Sequence, residues 1–206
     1  MIAVVDYGVN NVASVVRALA AGGHTASLTS NPEEVRRADR VLVPGVGHFG
    51  QGSRNLASTG LADAVREVAS GGRPVMGICL GLQLFFELSE EAPEARGMGL
   101  LPGRVRRFSG GMPVPHVGWA QVDLTRAGQR HAVLGQSMDH WPRFFYHVHS
   151  YLPTDLPEDA VLGTGDYGGV FPTLVGRGSV IGAQFHPEKS QQPGIELLSA
   201  FARWRP

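Results

Sequence analysis

Short apolar runs alternate with helix-like segments through the first half of the sequence, and this rhythm limits the folds that the chain can adopt. The apolar runs predict strands at Ile2–Val5, Thr25–Leu28, Val41–Val43 and Val75–Ile78. Between them, the pattern predicts helices at Asn11–Ala21 and Leu61–Ala69 and a helical turn after Pro32. Strands and helices that alternate in this way form a parallel sheet covered by helices on both faces. We therefore predict an α/β protein built in three layers.

The second half carries a different pattern, in which short strand-like segments are separated by turns. These segments lie near residues 103–108, 116–124, 144–151, 161–165, 171–176 and 179–185. Gly176-Arg177-Gly178 predicts a hairpin between the last two segments, and a helix is predicted from Gly194 to Trp204. We expect antiparallel strands to extend the parallel sheet. Because no linker or repeat interrupts the pattern, residues 1–206 are expected to form one domain.

Composition argues against several classes of function. The 206 residues carry 18 Lys and Arg against 18 Asp and Glu, so we expect no basic surface for nucleic acid or an anionic membrane. The N-terminal residues lack a basic leader, and no apolar stretch is long enough to span a membrane. A single cysteine excludes an internal disulfide and suits a reducing compartment. We expect a cytoplasmic protein without a nucleic-acid or membrane partner.

The only cysteine, Cys79, lies in the stretch 74–83, Pro-Val-Met-Gly-Ile-Cys-Leu-Gly-Leu-Gln. The apolar run before it predicts a buried strand, and Leu80–Leu88 has the spacing of an amphipathic helix. Cys79 would then stand at a strand-to-helix turn between Gly77 and Gly81, as the serine of a Gly-x-Ser-x-Gly nucleophile elbow does. The N-terminus of the helix would favour the thiolate. The other interpretation of this stretch is a buried structural cysteine.

A base for that thiolate is offered by residues 184–190, Gln-Phe-His-Pro-Glu-Lys-Ser, at the end of the last predicted strand. His186 and Glu188 are two residues apart, so an extended segment can turn both side chains toward one face. A nucleophilic cysteine needs an adjacent base, and a third group usually orients that base. Each residue alone is ordinary, but together with the elbow they predict a triad of Cys79, His186 and Glu188.

These motifs resemble those of the class I glutamine amidotransferases, in which a Gly-Ile-Cys-Leu-Gly-Leu-Gln stretch is paired with a distant Phe-His-Pro-Glu. Further stretches are similar to the glutaminase subunits of imidazole glycerol phosphate synthases: Asp-Tyr-Gly at 6–8, Pro-Gly-Val-Gly at 44–47, Pro-His-Val-Gly-Trp at 115–119, His-Ser-Tyr at 149–151 and Phe-His-Pro-Glu-Lys-Ser at 185–190. The resemblance runs essentially from end to end of the chain. It implies a flavodoxin-like, three-layer fold with a mostly parallel sheet and antiparallel additions.

The resemblance also implies roles for individual residues. Cys79 would be the nucleophile, His186 the base and acid, and Glu188 its orienting partner. The residues expected to contact the substrate glutamine are Gln83, Glu91, Ser150 and Tyr151. The expected oxyanion donors are Val46, Gly47 and the N–H of Leu80. The expected contacts with a partner subunit are Asn10, Trp119, Tyr146 and Lys189. No metal and no other cofactor is implied.

By the same resemblance, the chain hydrolyses glutamine and passes the ammonia to a (β/α)8-barrel cyclase subunit, with which it forms a heterodimer in histidine biosynthesis. Asn10, Ala120 and His48 stand where the related motifs usually have glycine, asparagine and a small residue, which bears on partner coupling and gating but not on the glutaminase chemistry. Three other functions stay open at this point. They are the glutaminase of a different amidotransferase, an unrelated α/β cysteine hydrolase, and an interaction subunit with a vestigial triad.

Two further patterns suggest other kinds of site. Residues 163–168 fit Gly-x-Gly-x-x-Gly, but Pro172 and a strand follow them where a dinucleotide-binding unit requires a helix. His147 and His149 could present two imidazoles on one face of a strand as metal ligands. No third ligand at a suitable spacing is evident in the sequence. We therefore predict neither a dinucleotide site nor a metal site.

Overall fold

The computed structural model of the chain describes residues 1–9, 11–109, 111–135 and 140–206. Its strands are β1 Ile2–Val5, β2 Ala26–Thr29, β3 Arg40–Gly45, β4 Val75–Cys79, β5 Arg104–Arg107, β6 His116–Leu124, β7 Arg143–His149, β8 Tyr151–Thr154, β9 Val161–Asp166, β10 Val170–Arg177 and β11 Val180–Ala183. Its α-helices are α1 Val12–Ala21, α2 Pro32–Arg37, α3 Phe49–Ser58, α4 Leu61–Ser70, α5 Leu80–Gln83, α6 Arg126–Arg130 and α7 Gln191–Arg203. Turns of 3-10 helix lie at Glu158–Ala160 and Pro187–Lys189.

The centre of the fold is a nine-stranded sheet in the order β2-β1-β3-β4-β11-β10-β9-β6-β7. The first five of these strands are parallel. The other four extend the sheet in antiparallel order. β5 and β8 form a separate antiparallel pair, and the predicted hairpin joins β10 to β11. The predicted α/β class, with a mostly parallel sheet and antiparallel additions, is confirmed.

Two helical layers bury the parallel strands on both faces. Successive residues of one strand contact opposite layers, because side chains alternate across a sheet. One core joins α1 and α7 to strand residues that include Val4, Leu42 and Met76. The other joins α2, α3 and α4 to residues that include Val5, Val43 and Val75. In the described part of the chain, no helix is long and apolar enough to cross a membrane.

The helix predicted at Leu80–Leu88 is wrong in length, because α5 ends at Gln83. The carbonyl of Leu84 accepts a hydrogen bond from the N–H of Met98 at 2.7 Å, and the carbonyl of Phe85 accepts one from Leu100 at 2.7 Å. Leu84 and Phe85 are fully buried. Tertiary hydrogen bonds thus satisfy carbonyl groups that a longer helix would have used, and they end the helix early.

The sequence pattern does not predict α3, since Gly50 and Gly52 lower its helix propensity. Packing explains why the helix forms. The imidazole of His48 accepts a hydrogen bond from the N–H of Gly50 at 3.1 Å and caps the helix. A β-carbon at Gly52 would lie 2.9 Å from Leu84, so the glycine allows α3 to approach that side chain closely.

Candidate active site

Cys79 ends β4, which lies between β3 and β11 in the sheet. Its backbone has φ 53° and ψ −109°, a conformation that residues with a side chain rarely adopt. A β-carbon on Gly77 would lie 2.7 Å from the backbone of Leu82, and one on Gly81 would lie 1.7 Å from the carbonyl oxygen of Val43. The two glycines therefore allow the tight strand-to-helix turn that the sequence predicts.

His186 and Glu188 lie beyond the end of β11, the strand beside β4. His186 Nδ1 donates a hydrogen bond to Glu188 Oε1 at 2.6 Å, and both side chains are almost completely buried. The backbone N–H of His186 donates to the carbonyl of Tyr146 at 2.9 Å. Ser190 Oγ donates to the carbonyl of His186 at 2.6 Å and accepts from the N–H of Tyr146 at 3.0 Å. Hydrogen bonds to β7 thus fix the position of the imidazole.

The charge state of His186 results from opposing effects. Burial lowers the pKa of its imidazole. The neighbouring Cys79 sulfur and the Glu188 carboxylate raise the pKa by more than burial lowers it, so the pKa is about 10. Glu188 is bonded to Nδ1 of the imidazole, which leaves Nε2 as the nitrogen that can interact with the sulfur of Cys79. One ring nitrogen is therefore oriented by a carboxylate, and the other is available for proton transfer at the sulfur.

Two side chains at the triad were not predicted from the sequence. The amide of Asn11 donates a hydrogen bond to Glu188 Oε1, from a left-handed backbone with φ 81° at the start of α1. The fully buried Gln184 places Nε2 at 3.8 Å from Cys79 Sγ. The period of a strand could have indicated Gln184, because it lies two residues before His186. No sequence pattern indicates Asn11, because its contact with Glu188 depends on how α1 packs beside the 187–189 turn.

A cavity of about 400 Å³ opens at the sulfur of Cys79. It brings together all the residues predicted to bind glutamine or the oxyanion: Val46, Gly47, Leu80, Gln83, Glu91, Ser150 and Tyr151. The remaining lining residues are Pro115, Val148, His149 and Lys189. A cavity of this size suits a small polar molecule placed against the sulfur.

The polar residues of this cavity are held in place by backbone groups. Gln83 Nε2 donates to the carbonyl of Tyr151 at 3.2 Å. Glu91 Oε2 accepts from the N–H of Phe49 at 2.7 Å, at the start of α3. Gly47 has φ 131°, a backbone conformation available mainly to glycine. The segment Val46–Gly47 follows directly from Gly45, which pairs with Cys79 across β3 and β4.

Three of the four predicted partner contacts form one surface cluster. Trp119 and Tyr146 pair across β6 and β7, with ring centroids 6.2 Å apart. Lys189 Nζ lies 5.9 Å from the centre of the Tyr146 ring. Trp119 is 47% exposed, and Val117 and Phe144 are also exposed large apolar side chains of these two strands. Asn10, the fourth predicted contact, lies outside the described residues.

The structure supplies the third histidine that the sequence spacing did not reveal. Because His116 pairs with His149 across β6 and β7, the rings of His116, His147 and His149 place nitrogen atoms within 4.8 Å of one another. The rings of His116 and His147 are stacked, with 19° between their planes. The spacing of these nitrogen atoms would allow a metal ion, a site that the sequence pattern does not predict.

Hydrogen bonds within the protein account for the placement of two of these rings without a metal. His149 Nδ1 donates to the carbonyl of Tyr151 at 2.9 Å, which leaves His149 Nε2 to accept from His147 Nδ1 at 3.1 Å. Burial lowers the pKa of His149 to about 3 and holds the pKa of His147 well below its ordinary value. Both imidazoles are therefore neutral near pH 7, and His149 fixes the corner that carries Tyr151.

Comparisons with known proteins place this site in a family. A family model described as class I glutamine amidotransferase matches residues 3–203. The chain is 44% identical over 200 residues to imidazole glycerol phosphate synthase subunit HisH of Moorella thermoacetica, covering 97% of this chain and 93% of that protein. It is also 44% identical over 202 residues to subunit HisH of Symbiobacterium thermophilum, covering 98% and 93%.

Solved structures agree on the fold. A crystal structure of a glutamine amidotransferase superposes with a TM-score of 0.76 at 20% identity, covering 97% of this chain and 98% of that one. A chain of the PurLQS structure from Thermotoga maritima superposes with a TM-score of 0.76 at 18% identity, covering 98% and 96%. At these identities the similarity speaks for the fold alone.

Proposed function

The chain belongs to the class I glutamine amidotransferase family as a glutaminase subunit of imidazole glycerol phosphate synthase, and we propose that Cys79, His186 and Glu188 are its catalytic triad. The identity of 44% over almost the whole length of two such subunits supports the assignment of the subunit. The observation that supports the triad is the 2.6 Å contact between His186 and Glu188, buried beside a cysteine held at a strained elbow.

The proposed reaction proceeds through a thioester. The Cys79 thiolate attacks the side-chain amide carbon of glutamine, and the carbonyl oxygen takes up the negative charge. His186 donates its proton to the leaving nitrogen, so that ammonia departs and a γ-glutamyl thioester remains. His186 then takes a proton from water, which attacks the thioester and releases glutamate and the thiolate. Glu188 stabilises the protonated imidazole and holds its orientation.

The cavity supplies the remaining groups. We assign Gln83, Glu91, Ser150 and Tyr151 to binding of the glutamine, since they surround the space in front of the sulfur. The oxyanion is assigned to N–H groups of Val46, Gly47 and Leu80. A missing oxyanion donor costs roughly 10²–10³-fold in kcat. We propose that the Val46–Gly47 peptide turns its N–H toward the oxyanion only in the activated state, a change that glycine permits.

The ammonia is proposed to pass to a (β/α)8-barrel cyclase subunit in a cytoplasmic heterodimer, and residues 1–206 to act as one amidotransferase domain. The exposed cluster of Trp119, Tyr146 and Lys189 supports a partner surface there, since Lys189 also lines the cavity at Cys79. A shielded route has a chemical reason, because ammonia released into neutral water becomes ammonium and loses its nucleophilic lone pair.

The substitution Cys79→Ala tests the proposal in the complex with the cyclase. Glutamine-dependent product formation should fall below a few per cent of the native rate, because the nucleophile is gone. Product formation from added ammonium at high pH should remain, because it requires only the cyclase site, and it serves as the internal control for folding and assembly. Retained glutamine hydrolysis would contradict the assignment of Cys79. Turnover of peptides without release of ammonia from glutamine would instead identify an unrelated cysteine hydrolase.

A further inference from the structure

A chain of side-chain hydrogen bonds runs from the catalytic sulfur into the glutamine cavity. Gln184 places Nε2 at 3.8 Å from Cys79 Sγ and Oε1 at 3.2 Å from Gln83 Nε2. Gln83 Nε2 also lies 3.2 Å from the carbonyl oxygen of Tyr151. Gln184 is completely buried and Gln83 is 5% exposed. The nucleophile, the substrate cavity and the β7–β8 corner are therefore connected inside the protein.

The orientation of both amides follows from the end of this chain. A backbone carbonyl only accepts hydrogen bonds, so the group of Gln83 that faces Tyr151 must be the NH2. The same NH2 faces Gln184, whose nearer atom must then be the amide oxygen. The NH2 group of Gln184 is consequently directed at the sulfur of Cys79. The carbonyl of Tyr151 therefore fixes which atom is oxygen and which is nitrogen in the side-chain amides of Gln83 and Gln184.

The backbone holds Gln184 beside the triad. The N–H of Gln184 donates to the carbonyl of Thr173 on β10 at 2.8 Å. Gln184 precedes His186 by two residues, and each of their side chains reaches Cys79. The sulfur therefore has an amide donor and an imidazole supplied by the same extended segment.

The surroundings of the sulfur distinguish its two charge states. The carbonyl oxygen of Val148 lies 4.0 Å from Sγ and can accept a weak hydrogen bond from the thiol. A thiolate has no proton to donate to that carbonyl, but it accepts an N–H more strongly than a thiol does. The Gln184 amide thus favours the ionised form of the sulfur.

We propose that Gln184 is a further catalytic residue, whose side-chain N–H donates to the Cys79 sulfur and stabilises the thiolate. Gln83, bonded to Tyr151, holds the Gln184 amide in the required orientation. This inference rests on the proposed role of Cys79 as the nucleophile. It adds to the triad a donor that remains in contact with the reacting atom through attack and thioester hydrolysis.

The substitution Gln184→Met tests the inference, because it keeps an unbranched side chain of similar length and removes the N–H. Cys79 is the only cysteine, so alkylation by iodoacetamide reports on this sulfur alone. The pH at which the alkylation rate rises should move upward by about one unit, and kcat for glutamine in the complex should fall roughly tenfold, as expected for a lost hydrogen bond to a charged group.

The matched control is Thr173→Val. Thr173 is fully buried beside Gln184, and its hydroxyl has no hydrogen-bond partner in the described part of the chain. Its carbonyl, which holds the Gln184 backbone, is unchanged by the substitution. Thr173→Val should therefore leave the pH of the alkylation rise within a few tenths of a unit. An equal shift in both variants would show that packing, and not the N–H donor, controls the sulfur.

A measurement on the unsubstituted side chain covers the case in which Gln184→Met does not fold. The side-chain NH2 resonances of Gln184 should shift over the pH interval in which the thiol becomes reactive, and Cys79→Ala should abolish that shift. Resonances that stay constant would overturn the inference. If the native complex hydrolyses glutamine but alkylation is insensitive to Gln184→Met, this inference fails and the proposed function stands. If the native complex does not hydrolyse glutamine, the proposed function fails, while the alkylation profiles still report on the donor.

Discussion

The two halves of the nine-stranded sheet differ in what they bury. In the parallel half, β1, β4 and β11 consist of buried residues only. In the antiparallel half, only two of the nine residues of β6 are buried, β7 alternates between buried and more accessible residues from Phe144 onward, and the two strands expose large apolar side chains such as Trp119 and Phe144. The two halves of the sheet therefore differ in how completely their strands are buried. Cys79, which we propose as the nucleophile, ends a fully buried strand of the parallel half, whereas the antiparallel half exposes apolar side chains of the kind that another chain can cover.

The histidines of the two halves differ as well. His186, which follows a strand of the parallel half, is buried against Glu188 and Cys79, and its pKa is raised to about 10. His147 and His149, in the antiparallel half, are buried mainly among aromatic rings and other histidines, and their pKa values are lowered. Burial acts in the same direction on all three. The pKa values differ because His186 lies beside the Cys79 sulfur and the Glu188 carboxylate, whereas His147 and His149 lie near other histidines.

The largest effect on stability is expected from Gly81→Ala in the parallel half. The new β-carbon would lie 1.7 Å from the carbonyl oxygen of Val43, so α5 must move away from β3. We expect the free energy of unfolding to fall by roughly 3 kcal/mol, as for a severe overpacking, measured by urea unfolding. The control in the antiparallel half is Gly163→Ala, where the nearest atoms belong to the Leu174 side chain at 3.1 Å. A loss as large for Gly163→Ala would contradict the contrast between the halves.

The next prediction concerns the proposed triad in the parallel half. His186→Asn should reduce kcat for glutamine by roughly 10⁴-fold or more, because triad members act as a unit. Glu188→Gln keeps a hydrogen-bond acceptor for the imidazole but removes the charge, so a loss of roughly 10–100-fold is expected. Steady-state release of glutamate by the complex provides the measurement. If Glu188→Gln proved more damaging than His186→Asn, the roles of base and orienting group would have to be exchanged.

A smaller effect is expected at the partner surface. Lys189→Ala removes the cation that lies over Tyr146, so the acceleration of glutamine hydrolysis by the cyclase should fall roughly three- to fivefold. The basal rate of the isolated chain should change less. Arg37→Ala, an exposed charge on α2, is the control and should leave the acceleration unchanged. An isolated chain that hydrolyses glutamine at full speed, with or without the cyclase, would refute the coupling.

The last prediction concerns stability in acid. His147 has a pKa well below its ordinary value of 6.5, chiefly through burial. Below pH 6.5, His147 therefore binds a proton in the unfolded chain but not in the folded protein. Stability is therefore present above pH 6.5 and lost as the pH falls toward the lowered pKa. His147→Phe should reduce the slope of this loss by up to about 1.4 kcal/mol per pH unit. Urea unfolding between pH 7 and pH 5 measures it, and an unchanged slope would exclude His147 as the acid-sensitive group.

Much of the site could be predicted from the sequence, for a local reason. Cys79 lies between glycines at the end of an apolar run, and His186 and Glu188 are separated by the period of a strand. Both features depend on residues close in the chain, and the resemblance to a known family then named the roles. Gln184 could have been added by the same period. The length of α5 could not, because the hydrogen bonds that end it come from residues 97–101.

The sequence pattern predicted the parallel strands, the helices α1, α4 and α7 and the turn at Cys79, since periodicity and turn residues act over a few positions. Which elements meet is evident only from the folded chain. The fold places Asn11 against Glu188, Gln184 between Cys79 and Gln83, and His116 beside His147. These contacts join segments far apart in the chain. The physical reason is that an apolar face specifies burial without specifying a partner, whereas a hydrogen bond or a stacked ring requires one particular neighbour at a fixed distance.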